Sequence, residues 1–475
     1  MEEHTVFPVL SRRKLLQVGA VTITGGTLLP MAGGLKAAAT GKAQPRGSAD
    51  CVIFLNLVGG PSQMDTFDAK EYRFTPPDLD IRQHKLGIKW PYGLLGKTAE
   101  VLDDVAIVRS MAAWETFHNL AQYYLQVGHQ FNAARAKELP SIGSVIAYEM
   151  LSKARQSDFL PPFVSMNFPA GAVNGTIIRE GFLPSANAPL TLDLRKGGNM
   201  PFLLGGDYRE RFQSRLDFLY SFDASRDKRG PGAPKLLEEW GAFQKRAEKM
   251  IQSPKVAGIF DLQEEDRKRY GSTPFGDACL MARNMVAAEA GARYILVNQG
   301  GWDHHGDIYG KSDKSSMEDP RMRGGLYTNC AELDPALAAL ITDLKSTRKA
   351  NGQTLLDRTF VLVMGEFGRT PGNLTDIKGR DHWPAVRSGL FAGAGVKGAR
   401  VLGATDEQGG KITRLDWHNN RPIYPEDVTA TVYSVLGIDW FKKLSGTPSG
   451  RDFEYVERMS GTTFINTTEI KELFG

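Results

Sequence analysis

Between Thr359 and Pro384 the chain reads TFVLVMGEFGRTPGNLTDIKGRDHWP. The apolar run Phe360 to Met364 has no polar alternation, so it reads as a strand buried on both faces. Such a strand constrains the chain to a largely parallel sheet with helices on either side. Gly365 ends the run, and Glu366, Arg369, Arg380, Asp381 and His382 follow closely. In sheets of this kind functional groups gather just beyond the carboxyl ends of the strands. One strand therefore delivers a carboxylate, two guanidinium groups and an imidazole to one such place.

The same grammar recurs along the chain. Residues 51–58 (CVIFLNLV), 105–109 (VAIVR), 161–166 (PPFVSM), 293–298 (RYILVN) and 389–392 read as further strands. Helical periodicity is expected from about 116 to 128, 140 to 154, 277 to 290, 331 to 345 and 425 to 436. Residues 170–205 are rich in Gly, Asn and Pro and read as an irregular excursion. Two amphipathic segments over about 207–269 read as a helical insert whose charges form wet faces. The expected fold class is α/β, a mostly parallel sheet sandwiched between helices, with that insert.

Residues 1–39 stand apart from this pattern. Arg12-Arg13 precede a mild apolar stretch, and Ala37-Ala38-Ala39 offer a cleavage site, the layout of a twin-arginine export signal. Five glycines and Pro30 make the stretch a poor spanning helix, so no stable membrane span is expected after cleavage. Residues 40–50 read as a linker, and 51–475 as the folded domain. The expected location is periplasmic or extracellular, with the twin-arginine machinery as a partner. A net charge of +4 gives no electrostatic case for nucleic acid. Cys51, Cys279 and Cys330 form no close pair, which excludes a thiolate zinc site and a disulfide framework.

The sharpest chemical signal is Gly300-Gly301-Trp302-Asp303-His304-His305, at a strand end. In extended geometry Asp303 and His305 point the same way and can share one ion, while His304 faces away or takes a second role. Imidazole and carboxylate donors suit zinc, manganese or iron rather than a thiolate-preferring ion. Glu366 and His382 add a carboxylate and an imidazole, and Asp381 is either a further ligand or a group orienting His382. Arg369 and Arg380 are candidates to hold a phosphate or sulfate oxyanion. Asp65, after the first strand and Gly59-Gly60, is a candidate ligand or a turn-capping residue. His118 falls in the first turn of a helix, where backbone amides favour an anion.

The order GGPSQMDTFDAK, FHNLAQYYLQVG, PSIGSVIAYE, GGWDHHG, GEFGRTP and GRDHWP resembles the bacterial family known as domain of unknown function 1501, which looks like a branch of the alkaline phosphatase and sulfatase superfamily. The resemblance covers nearly everything after the signal. It implies metal ligands at Asp65, Asp303, His305, Glu366 and His382, with one or two ions of Zn, Mn, Ca or Mg. It places the superfamily's nucleophile position near His118, with a role as acid/base or nucleophile. The implied substrate is a small-molecule or glycan ester of phosphate or sulfate. The chain departs from its relatives at Gln63, where they usually carry His, and it has no Cys-x-Pro-x-Arg motif. A non-catalytic binding or scaffold protein on the same fold is the alternative.

Overall fold

In the computed structural model the described residues are 43–167, 172–173, 176–196, 247–310, 325–460, 463–464 and 466–475, with a few helical residues between 211 and 241. The expected export signal and most of the expected insert lie outside them. Of the insert, the helices Pro254–Phe260 and Glu264–Arg269 are described.

Eight strands form the main sheet: β1 (Cys51–Leu57), β2 (Val105–Met111), β3 (Phe163–Met166), β4 (Leu190–Leu192), β5 (Tyr294–Gln299), β6 (Thr359–Met364), β7 (Arg387–Ala392) and β8 (Arg400–Leu402). Their order is β8-β2-β7-β6-β1-β5-β3-β4. Only β7 runs against the rest, pairing antiparallel with both β6 and β2. β1, β2, β5 and β6 are buried along their whole length, which explains their unbroken apolar runs.

Alternate side chains of each strand feed two cores. Ile53, Leu55, Ile107, Val297, Val361 and Val363 pack on one face with helices Tyr92–Glu100, Pro274–Ala288 and Leu326–Ser346. Val52, Phe54, Val108, Leu296, Phe360 and Leu362 pack on the other with α1 (His118–Val127), Ile142–Leu151 and Pro425–Val435. The mostly parallel sheet between two helical layers is the expected architecture. Part of the expected irregular excursion, Leu190–Leu192, is instead the edge strand β4, parallel to β3. Among the described residues no helix is long and apolar enough to cross a membrane.

A candidate metal centre at the strand ends

Beyond Met364 the backbone must pass very close to the end of β1. A Cβ at Gly365 would lie 2.3 Å from Pro61 Cδ, so only glycine fits there. The next residue, Glu366, is 1% exposed. Its carboxylate accepts from the Gly59 amide at 2.9 Å, from Gln122 Nε2 at 2.8 Å and from His118 Nδ1 at 2.8 Å. Gly59 has φ +116, and a Cβ there would sit 2.5 Å from the amide nitrogen of Asp303. That glycine is what lets the Trp302-Asp303 loop close over the end of β1.

Residues distant in sequence reach the site by three routes. His118 opens α1, and Gln122 stands one turn later on the same face, so both reach Glu366. Asp303 and His305 follow the end of β5. His382 returns through a small antiparallel ladder in which Arg369 pairs with His382 and Gly368 with Trp383.

Four ligand atoms, one each from His118, Asp303, His305 and His382, then lie within 4.8 Å of one another. Asp303 Oδ1 is 3.0 Å from His118 Nε2, 3.0 Å from His305 Nε2 and 3.5 Å from His382 Nε2. The Nε2 atoms of His305 and His382 are 2.9 Å apart. Tetrahedral ligands on bonds of ~2.0–2.1 Å are separated by ~3.3 Å. The observed edges bracket that value.

The outer bonds settle which ring nitrogen is free. His118 Nδ1 faces the Glu366 carboxylate, His305 Nδ1 donates to Asp381 at 2.9 Å, and His382 Nδ1 donates to the Thr116 carbonyl at 2.5 Å. Carboxylates and carbonyls only accept, so each Nδ1 carries the proton and each Nε2 presents a lone pair inward. Two lone pairs 2.9 Å apart repel unless a proton or a cation stands between them. His118 Nε2 is buried and lacks a hydrogen bond: Asp303 lies near it, but at an angle no hydrogen bond makes. A divalent cation answers both conditions, and the donor set suits one. Phe367 walls the centre, 4.9 Å from the His118 ring and 4.5 Å from that of His382.

Charge around the centre is strongly coupled. Burial works against a charged His118 ring, yet the neighbouring carboxylates of Asp303 and Glu366 outweigh it and raise its pKa to about 9. The Asp303 carboxylate likewise raises His305. Burial opposes ionisation of Asp303, but the three imidazoles and Arg369 hold its carboxyl far below the usual range. Protons and a cation compete for these same lone pairs.

The other candidates are placed differently. Asp65 is fully buried and outside the cluster; it accepts from Arg380 Nε at 2.8 Å, Ser62 Oγ at 2.5 Å and Tyr309 OH at 2.7 Å. Glu366 stands behind His118 rather than among the four converging atoms. Neither arginine is available to an oxyanion, contrary to expectation. Arg369 is fully buried; its N–H groups go to the carbonyls of Gly59, Gly60, Trp302 and Arg380 and to Asp303. Arg380, 1% exposed, is committed to Asp65, Thr370 O, Gly372 O and Tyr309. His304 points away, toward Asn329, and burial lowers its pKa to about 4. Gln63 spends its amide on the backbone of Arg369 and Gly409. Three contributors escaped the sequence reading: Gln122, the Thr116 carbonyl and Phe367. The i, i+4 spacing of His118 and Gln122 was the one available signal; a carbonyl leaves none.

The family described as "Protein of unknown function (DUF1501)" matches residues 49–464. No curated protein matches the chain. Among solved structures it is similar to a protein in the alkaline phosphatase superfamily from Vibrio parahaemolyticus, at 13% identity and TM-score 0.33, covering 84% of this chain and 69% of that one. It is also similar to the lipoteichoic acid synthase LtaP from Listeria monocytogenes (10%, TM-score 0.34, 86% and 75%). A third is the phosphonate monoester hydrolase SpPMH from Silicibacter pomeroyi (9%, TM-score 0.35, 82% and 73%).

Proposed function

We propose that this chain, which belongs to the DUF1501 family, is an exported hydrolase of phosphate or sulfate esters that depends on a divalent cation. The observation that carries the reading is the convergence of three imidazole Nε2 atoms and one carboxylate, each ring fixed from behind through Nδ1. His118, Asp303, His305 and His382 would hold the ion; Glu366, Asp381 and the Thr116 carbonyl orient the rings. A cation bound there supplies polarisation of an ester oxygen and lowers the pKa of water. The side of the cluster that meets solvent is the side of His305, whose side chain is 40% exposed, so a substrate approaches there.

Among the described residues that touch the four are Glu366, Asp381, Arg369, Phe367 and Thr116. Thr116 contributes its carbonyl, and the Thr375 hydroxyl reaches the carbonyl of His305 rather than a ligand atom. This reading takes water as the attacking group. The same observation favours a second reading, a binding protein that keeps the metal and lacks turnover.

A panel of aryl phosphate, sulfate and phosphonate monoesters, with Zn, Mn, Ca or Mg added, separates the two. Turnover by the wild type that disappears in His305→Ala supports hydrolysis. A metal-loaded wild type inert on every ester leaves the binding reading. Export rests on Arg12-Arg13, the apolar stretch after them and Ala37-Ala38-Ala39; retention of the protein in the cytoplasm by both wild type and an Arg12→Lys, Arg13→Lys variant would remove it.

A further inference from the structure

At the amino ends of the strands, away from the metal centre, the two helical layers part. The geometry there points to a binding site for a small organic oxyanion, a carboxylate or phosphate group carried on an apolar body. The cleft has a volume of about 310 Å³, at the lower edge of the roughly 300–1,000 Å³ usual for ligand sites. Cys51 and Thr359, the first residues of β1 and β6, line it, as does Arg293, just before β5. β1 is seven residues long, so ~20 Å of strand separate the cleft from the loops that carry Asp303 and Glu366. Met285 and Leu355 of one core and Met150 and Leu436 of the other give it an apolar wall.

Its rim is cationic. Lys153, Arg155, Arg293, Lys349 and Arg358 line it, against the carboxylates of Asp50 and Glu289. Asp158 pairs with Arg155 and Arg293 from outside the lining. Five positive charges against three negative ones leave a surplus of two. The pairing also leaves donors unspent. Among the described residues Arg293 donates one hydrogen bond, from Nη2 to Asp158 at 3.0 Å, and the Lys153 ammonium donates none. A guanidinium with free N–H groups is a fork for an oxyanion. Thr359, 1% exposed on the same wall, has a hydroxyl without a partner. That is a cost which an oxygen lodged against it removes. A rim that served only to pair its own charges would need no surplus and no apolar recess. The two together suit a ligand with one charged end and one apolar end.

The test is calorimetric titration of the full chain, dialysed free of metal, with hexyl phosphate, hexanoate, inorganic phosphate and hexanol. One site per chain is expected, taking hexyl phosphate or hexanoate at least ~10-fold more tightly than inorganic phosphate or hexanol, each of which lacks one end. Whichever of the two amphiphiles binds tighter identifies the head group. Lys153→Glu reverses an exposed charge on the rim, where folding is not at risk, and should weaken binding ~3–10-fold. Val286→Trp fills the recess from a half-buried position on helix Pro274–Ala288 and should weaken it at least ~10-fold, with Tm checked in parallel. His305→Ala, at the metal centre, should bind the probes as the wild type does. No binding of either amphiphile, or equal affinity in the wild type and both cleft variants, overturns the inference. So does binding that is lost in His305→Ala and kept in Val286→Trp, which places the anion at the metal centre.

Discussion

Replacing Asp65 by asparagine distinguishes an ion-pair partner from a metal ligand at one position. Asp65 and Arg380 are both essentially unexposed, and their contact at 2.8 Å closes the loop after β1 onto the loop before His382. Asparagine keeps the shape, and one oxygen still accepts from Ser62 or Tyr309. The guanidinium, however, is left as a buried cation without its counter-ion. Breaking a buried pair from one side costs about 3–5 kcal/mol. At ~2.1 cal/mol/K per residue, unfolding residues 43–475 carries an entropy of roughly 0.9 kcal/mol/K, so Tm should fall by about 3–6 °C. Bound metal should stay at the wild-type ratio, because no ligand atom is lost. Calorimetric scans and metal analysis on one preparation check both halves. An unchanged Tm together with loss of metal would refute the reasoning and return Asp65 to the ligand set.

Further perturbations probe the shell around the centre. Glu366→Gln leaves the ring of His118 without its carboxylate and should weaken zinc binding ~10–100-fold in a competition titration. Gly59→Ala places a methyl against the Asp303 amide at a φ of +116, costing about 1–3 kcal/mol and displacing Asp303; loss of both Tm and zinc affinity is expected, and wild-type values in both would sink the close-approach argument. His129 is buried, and burial lowers its pKa to about 4 while Nε2 donates to the Glu454 carbonyl. The unfolded chain takes up that proton near pH 6.5 and the folded chain only near 4, so stability is unaffected above 6.5 and declines as pH falls from 6.5 to 4. The loss is about 3 kcal/mol. Denaturant titrations of His129→Gln over that range should show a shallower decline than wild type.

How much of this was readable in advance depends on the kind of information each feature carries. β1, β5 and β6 announce themselves because strands buried on both faces need unbroken apolar runs. Asp303, His305 and His382 stand out because imidazoles and carboxylates are dense at strand ends. Helix Tyr92–Glu100 and strands β4 and β8 carry short, weakly patterned sequences and were not legible. The partners of Asp65 and Arg369 were not legible either. A carboxylate looks the same whether it faces a cation or a guanidinium, and the choice depends on which loop folds over it. Arg369 was read as an oxyanion group because its chemistry permits it; its depth, set by Gly59, Gly60 and Trp302, decides otherwise. The role of His118 turned on α1 packing beside Glu366, a contact 248 residues apart in the chain.

Anomalous diffraction at the zinc edge, from crystals of zinc-loaded protein, addresses the metal centre most directly. One peak is expected, ~2.0–2.2 Å from the Nε2 atoms of His118, His305 and His382 and from a carboxylate oxygen of Asp303. A peak bound by Asp65 or Glu366 instead, or four side chains with no ion among them, would contradict it.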